Sequence, residues 1–164
     1  MKKLIFAGLS SLLVSSLAFS HGDEVHGKKN FDASKTEQMS FGIAGDPQKS
    51  SRKIKVAMDD NMRFTPSTIK VREGETVTLT VTNNGKILHE AVIGSMQELK
   101  AHADMMRKFP TMEHEAPYMA HVKPGMSQDI VWTFNRSGEF NFACLIAGHF
   151  EAGMVGKITV FAQN

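Results

Sequence analysis

Cys144 is the only cysteine in this 164-residue chain, so no disulfide can close within it. The chain also lacks an excess of either charge. Its 19 Lys and Arg stand against 17 Asp and Glu, and loss of Lys2 and Lys3 with an N-terminal leader would balance the signs. Phosphate binding needs basic residues gathered on one face, so nucleic acid is excluded as a partner. Beyond the first 20 residues there is no apolar run long enough to span a bilayer, and no stable membrane insertion is expected once they are cut. There is no internal repeat, and the length suffices for one core but not for two domains.

What is present starts with Lys2, Lys3 and an apolar stretch from Leu4 to Phe19, broken by Ser10, Ser11, Ser15 and Ser16 and ending near the small residues Ala18 and Ser20. This reads as a cleavable signal peptide over residues 1–20, with the periplasm as destination. Residues 21–50 hold His21, His26, scattered glycines and charges, and no sustained hydrophobic period. They read as a flexible arm with little regular structure before Ser51.

From residue 51 to 164 the pattern is that of one β domain. Ile54, Val56 and Met58 alternate with polar neighbours. The run Phe64 to Val71 follows, then Val77, Leu79 and Val81 alternate with threonines. Asn83-Asn84-Gly85 supplies a turn, and His89 to Ile93 a further strand. Ser95 is placed to cap a helix over Met96 to Lys108, on which Leu99, Met105 and Met106 recur at helical spacing. From Pro110 to Gly125 the chain reads as loop. Gln128–Phe134, Glu139–Phe142 and Lys157–Ala162 complete some seven strands, which predict an all-β, two-sheet antiparallel sandwich with one inserted helix.

The densest chemistry lies in Cys144-Leu-Ile-Ala-Gly-His149-Phe-Glu-Ala-Gly-Met154, between two strands. A buried cysteine is commonly an inert small hydrophobe, and a methionine is commonly core packing. A thiolate, an imidazole and a thioether on one short loop nevertheless suit copper, because sulfur binds Cu(I) well and imidazole accepts either oxidation state. One loop cannot surround a metal. Blue-copper sites use two histidines, a cysteine and a weak axial methionine, and His89, at the start of its strand after a turn, is the best further ligand. Zinc is the weaker choice, since an axial thioether favours copper.

The stretch from Phe64 to Gly85, ending in His89, and the Cys144 to Met154 loop resemble the two halves of the plastocyanin/azurin family of cupredoxins, in the same order and over about Lys53 to Phe161. The resemblance implies a Greek-key β-sandwich holding one copper per chain at one end, with His89 and His149 as imidazole ligands, Cys144 as thiolate and Met154 as the long axial contact. Two features depart from the family. Glu90 follows the first histidine where many members have asparagine, and the spacings from Cys144 to His149 and to Met154 exceed those of plastocyanin and azurin respectively.

Between the halves, residues 96–126 are dense in soft ligands: His102, Met105, Met106, Met112, His114, Met119 and His121, together with Met96 and Met126. On a helix His102, Met105 and Met106 share a face. These residues form a candidate second site for weakly bound additional copper, with Glu113 and Glu115 at hand for Cu(II); the plainer alternative is methionine packing beneath a loop. With this insert and the His-bearing arm, the chain resembles the CopI-type periplasmic copper-tolerance cupredoxins. That implies protection of the periplasm by binding or oxidising excess copper; copper ions are the expected partner, with a periplasmic redox or copper-transfer protein as a further one. A free amino-terminal His21 would add an accessory copper ligand set.

A soluble electron-transfer protein of a respiratory chain is the alternative, docking partners near His149; Phe150, if exposed beside it, would favour such docking. An enzyme is not expected. Copper oxidases and nitrite reductases build a second centre from several further histidines, commonly across two or more such domains, and a binuclear copper-thiolate centre needs more than one cysteine.

Overall fold

The computed structural model describes residues 31–163 apart from Thr111 and Glu113. The expected signal peptide, His21 and His26 lie outside the described residues. In chain order the strands are β1 (Gln38–Met39), β2 (Gly42–Ala44), β3 (Arg52–Asp59), β4 (Arg63–Thr65), β5 (Thr68–Arg72), β6 (Glu75–Asn83) and β7 (His89–Gly94). Helix α1 (Met96–Lys108) follows, then β8 (Met119–Val122), β9 (Ser127–Phe134), β10 (Gly138–Ala143) and β11 (Val155–Phe161).

They form two sheets, ordered β1-β2-β9-β6-β3-β4 and β5-β11-β10-β7-β8. The apolar alternation read from the sequence is the inward face of each strand. Val77, Leu79 and Val81 of β6 and Ile130, Trp132 and Phe134 of β9 are buried against Ile69, Val71, Phe142 and Ile158 of the other sheet. The fold is an all-β sandwich with one helix, as the pattern predicts.

Its sheets are not purely antiparallel. β3 runs parallel to β6, and β5 parallel to β11. The chain passes from the first sheet into the second at β5 before returning at β6, and such a crossing brings strands together pointing the same way.

Residues 38–44 are a second correction. They are read from the sequence as part of a flexible arm, yet β2 pairs with β9 and Phe41 is buried in the main core. Phe41 stacks on Trp132 at 5.3 Å between ring centroids, meets Tyr118 edge-on at 5.3 Å, and its carbonyl accepts the Trp132 indole N–H at 3.0 Å. A strand of three residues shows no period, so only its aromatic anchor could have announced it. Gly42 is required there: its φ is +130°, and a Cβ would run into Trp132.

A third difference lies after Pro110, where loop was expected throughout. Met119–Val122 is a strand antiparallel to β7, with His89 opposite Val122 and Glu90 opposite His121.

Helix α1 spans the residues expected. Ser95 accepts the Glu98 N–H while Glu98 Oε2 takes the Ser95 N–H at 2.9 Å, a reciprocal capping box. Leu99, Ala103 and Met106 form its buried stripe, packed with Val92, Met119, Ala143 and Leu145 in a small second core. The helix is thereby fixed against the outer face of β7 and β10, the strands that carry His89 and lead to Cys144. None of the helices among the described residues is long and apolar enough to cross a membrane.

Candidate metal centre

Two loops at one end of the sandwich supply the site. The first is the 84–88 loop before β7, pinned by the fully buried Asn83. Its amide donates to the carbonyls of Ile87 and Val122, both at 2.8 Å, and its Oδ1 accepts the Gly85 N–H at 2.8 Å. The Asn-Asn-Gly turn thus sets where β7 begins, and β7 begins with His89.

The second loop joins β10 to β11. Ala143 and Val155 are paired at its base, and the Cys144 N–H donates to the Met154 carbonyl at 3.1 Å. Within it the His149 N–H reaches the Ile146 carbonyl at 2.9 Å, and the Met154 N–H reaches that of His149 at 3.0 Å. Gly148 and Gly153 take φ values of +90° and +87°, the left-handed conformation needed for the chain to fold back over itself.

His89, Cys144 and His149 meet. One ligand atom from each lies within 4.8 Å of the others. Cys144 Sγ is 3.2 Å from His149 Nδ1, and the two imidazole rings are 5.0 Å apart. Met154 is fully buried in the same core cluster as Cys144. His89 is fully buried as well, whereas His149 is half-buried and gives the centre its edge to solvent.

The donor set fits a copper ion. His89 Nδ1 is buried and has no hydrogen-bond partner among the described residues, while Nε2 lies 3.1 Å from Asp60 Oδ1. A carboxylate on one ring nitrogen and the other left bare is the arrangement of a metal-ligating histidine. Burial pushes the Cys144 thiol up to about 12; the Glu90 carboxylate adds to the rise, and N–H groups of Glu90 and Ile146 oppose it. Burial, and then the neighbouring His89, holds His149 below its ordinary value, which favours the neutral ring that coordinates.

Glu90 stands behind the sulfur. It is buried, its N–H donates to Cys144 Sγ at 3.4 Å, and its Oε1 accepts the Leu145 N–H at 2.7 Å. The residue noted from the sequence as a departure is therefore built into the ligand loop. Asp60 was missed. It sits in the Asp59-Asp60-Asn61 run, which reads as a turn and gives no hint of the histidine it holds. Phe150, whose exposure beside His149 would favour docking, packs half-buried against the second core.

The insert residues divide. Met106 and Met119 are buried in the second core. Met105 and Met112 are exposed, at 45% and 37%, and line one open hollow with His102 and His114. His121 lies on β8 facing Glu90.

Residues 50–161 match the family described as copper binding proteins, plastocyanin/azurin family. Over 120 residues, 73% of each chain, the sequence is 52% identical to the copper-resistant cuproprotein CopI of Rubrivivax gelatinosus. It is 34% identical over 164 residues to the protein of that name from Vibrio cholerae, covering 96% of this chain and 97% of the relative. Among solved structures, the dithionite-reduced auracyanin of Roseiflexus castenholzii aligns with a TM-score of 0.57 at 24% identity, covering 68% of this chain and 98% of that one. Auracyanin B aligns with a TM-score of 0.59 at 18% identity, covering 75% and 96%. These two likenesses concern the fold.

Proposed function

This chain belongs to the plastocyanin/azurin family of copper-binding proteins, and from that premise we propose that it serves copper tolerance in the periplasm by binding and redox cycling one copper. His89, Cys144 and His149 would hold the ion, and Met154, buried in the same core cluster as Cys144, would offer it a thioether sulfur. The observation that carries this reading is the approach of three donor atoms, from two loops, to within 4.8 Å of one another. The kinship with cuproproteins described as copper-resistant supports tolerance as the purpose, and the leader read over residues 1–20 supports export.

Copper held there supplies a one-electron couple between Cu(I) and Cu(II). The protein's own part is to keep the donors in place. Asp60 orients His89, the β10–β11 ladder clamps the base of the Cys144 loop, and Glu90 holds Leu145 and the sulfur. Because the sandwich fixes both loops, the donor positions need change little between oxidation states. No catalytic role is assigned to it; copper is its cargo, and a redox or copper-transfer protein is its partner at the His149 edge.

The test is a Cu(II) titration of the exported protein with visible absorption and metal analysis, on wild type and on Cys144→Ser. One copper per chain with an intense thiolate band, absent in the variant, is expected. A band that survives in Cys144→Ser would sink the assignment. Complementation of copper-sensitive cells by wild type and not by the variant, with the protein recovered in the periplasmic fraction, is the matching test of tolerance and location.

A further inference from the structure

We propose that His102, His114 and His121 form a second copper site, for Cu(II), joined to the Cys144 centre through the side chain of Glu90. The proposal deepens the copper-tolerance reading and rests on it only for the choice of metal.

Three separate elements bring the histidines together: α1 carries His102, the coil after it carries His114, and β8 carries His121. The rings of His102 and His114 are 4.6 Å apart and those of His114 and His121 are 6.2 Å apart. These spacings bracket the 5.0 Å between His89 and His149, the pair that faces the thiol.

The ring of His114 is the strongest pointer to a ligand. Both its nitrogens are shielded from solvent, and neither has a hydrogen-bond partner among the described residues. Leaving such groups bare is costly, and an imidazole is satisfied when a nitrogen lone pair meets a cation. Burial, and then the neighbouring His114, hold His102 below its ordinary value, which favours the neutral ring that coordinates.

Glu90 supplies the negative charge that a divalent cation among imidazoles needs nearby. Its Oε2 lies 2.8 Å from His121 Nε2, at ion-pair distance though not aligned as a hydrogen bond. A carboxylate seated on a ring nitrogen is the usual outer partner of a metal-bound histidine. Imidazole and carboxylate donors select borderline ions, and among the common divalent ones Cu(II) binds such a set most strongly. The methionines of the insert are not required: Met106 and Met119 are core, and Met105 and Met112 only rim the hollow.

Only the Cys144 group, among the described residues, has three donors already within 4.8 Å. Loading the second site therefore draws the three rings closer and pulls on Glu90. Its other oxygen holds Leu145 and its N–H holds Cys144 Sγ, so the movement is felt at the first centre.

The experiment is stepwise Cu(II) addition to the full exported chain, followed by visible absorption and electron paramagnetic resonance. Wild type is expected to take a first equivalent with the thiolate band. It then takes a second with an axial signal coupled to imidazole nitrogen, and the thiolate band shifts as the second binds. His102→Asn/His114→Asn keeps the first band, which doubles as its check of folding, and loses the second signal. His114→Asn alone, changed only on coil, serves if the double variant does not fold. Cys144→Ser keeps the second signal and loses the band. A wild type that stops at one equivalent overturns the proposal, as does a second signal that persists in the histidine variants. A missing thiolate band with the second signal intact overturns the Cys144 reading instead and leaves this site standing.

Discussion

Oδ1 of Asp60 lies 3.1 Å from Nε2 of His89, and this contact ties down one ring nitrogen of a fully buried histidine. Asp60 is itself held by the Lys86 N–H, at 2.8 Å to its other oxygen, so it ties the turn after β3 to the loop before β7.

Removing this carboxylate leaves every copper donor in place but frees the ring. Asp60→Ala should weaken copper binding by about 10- to 100-fold, the usual cost of losing an outer partner of a histidine ligand. Asp60→Asn, which keeps an oxygen, should fall between. A competition titration against a chelator measures it; unchanged affinity in Asp60→Ala would show that the core alone orients His89.

Copper uptake should be strongly pH dependent. The thiol keeps its proton up to about 12 in the folded chain, and the copper-bound thiolate has none, so loading releases one proton. His149, held below its ordinary value, is already neutral and adds none above about pH 7. Affinity should therefore fall about tenfold for each pH unit lowered between about pH 9 and pH 7. Cys144→Ser should show no such slope over the same range.

The strand at residues 42–44 should behave as part of the domain. Phe41→Ala removes a ring stacked on Trp132 and packed against Tyr118, and should destabilise the copper-free protein by about 3–5 kcal/mol. Denaturant unfolding measures this. A loss below about 1 kcal/mol would return the segment to the status of an arm.

Gly156 lies in β11 beneath the ring of Phe142, and a Cβ there would overlap that ring. Gly156→Ala should cost about 1–3 kcal/mol through overpacking. Because Phe142 stands two residues before Cys144, the variant should also shift the thiolate band, which absorption of the copper-loaded form would detect.

The sequence carried much of this, unevenly. Long alternating runs such as Val77 to Val81 have one face buried, so their period reports the sheet directly. Leu99, Ala103 and Met106 do the same for α1. The primary donor set was legible because its residue types are rare together and lie close in the chain. Strands β2 and β8 were not legible, since three or four residues are too few to show a period and their burial depends on partners far away. Asp60 was hidden for a related reason. Its role depends on a histidine 29 positions later in the chain, and nothing local in Asp59-Asp60-Asn61 distinguishes a ligand-holding carboxylate from a turn. In the insert, Met106 and Met119 look like soft ligands in sequence, and only the packing of α1 on β7 and β10 shows them buried in the small core.

The pairing of Ala143 with Val155, and of the Cys144 N–H with the Met154 carbonyl, seals the ligand loop at its neck. Above that neck the loop is held by contacts of its own, from Glu90 to the Leu145 N–H and from Arg63 to the Ala152 carbonyl at 3.0 Å. The register of β10 on β11 is set outside this loop, so a change in loop length bears on the donors before it bears on the strands. A lengthened spacing of the kind found between Cys144 and Met154 is thus an inexpensive variation for the fold and a large one for the metal, which lets descendants of one scaffold diverge in chemistry while remaining superimposable in shape.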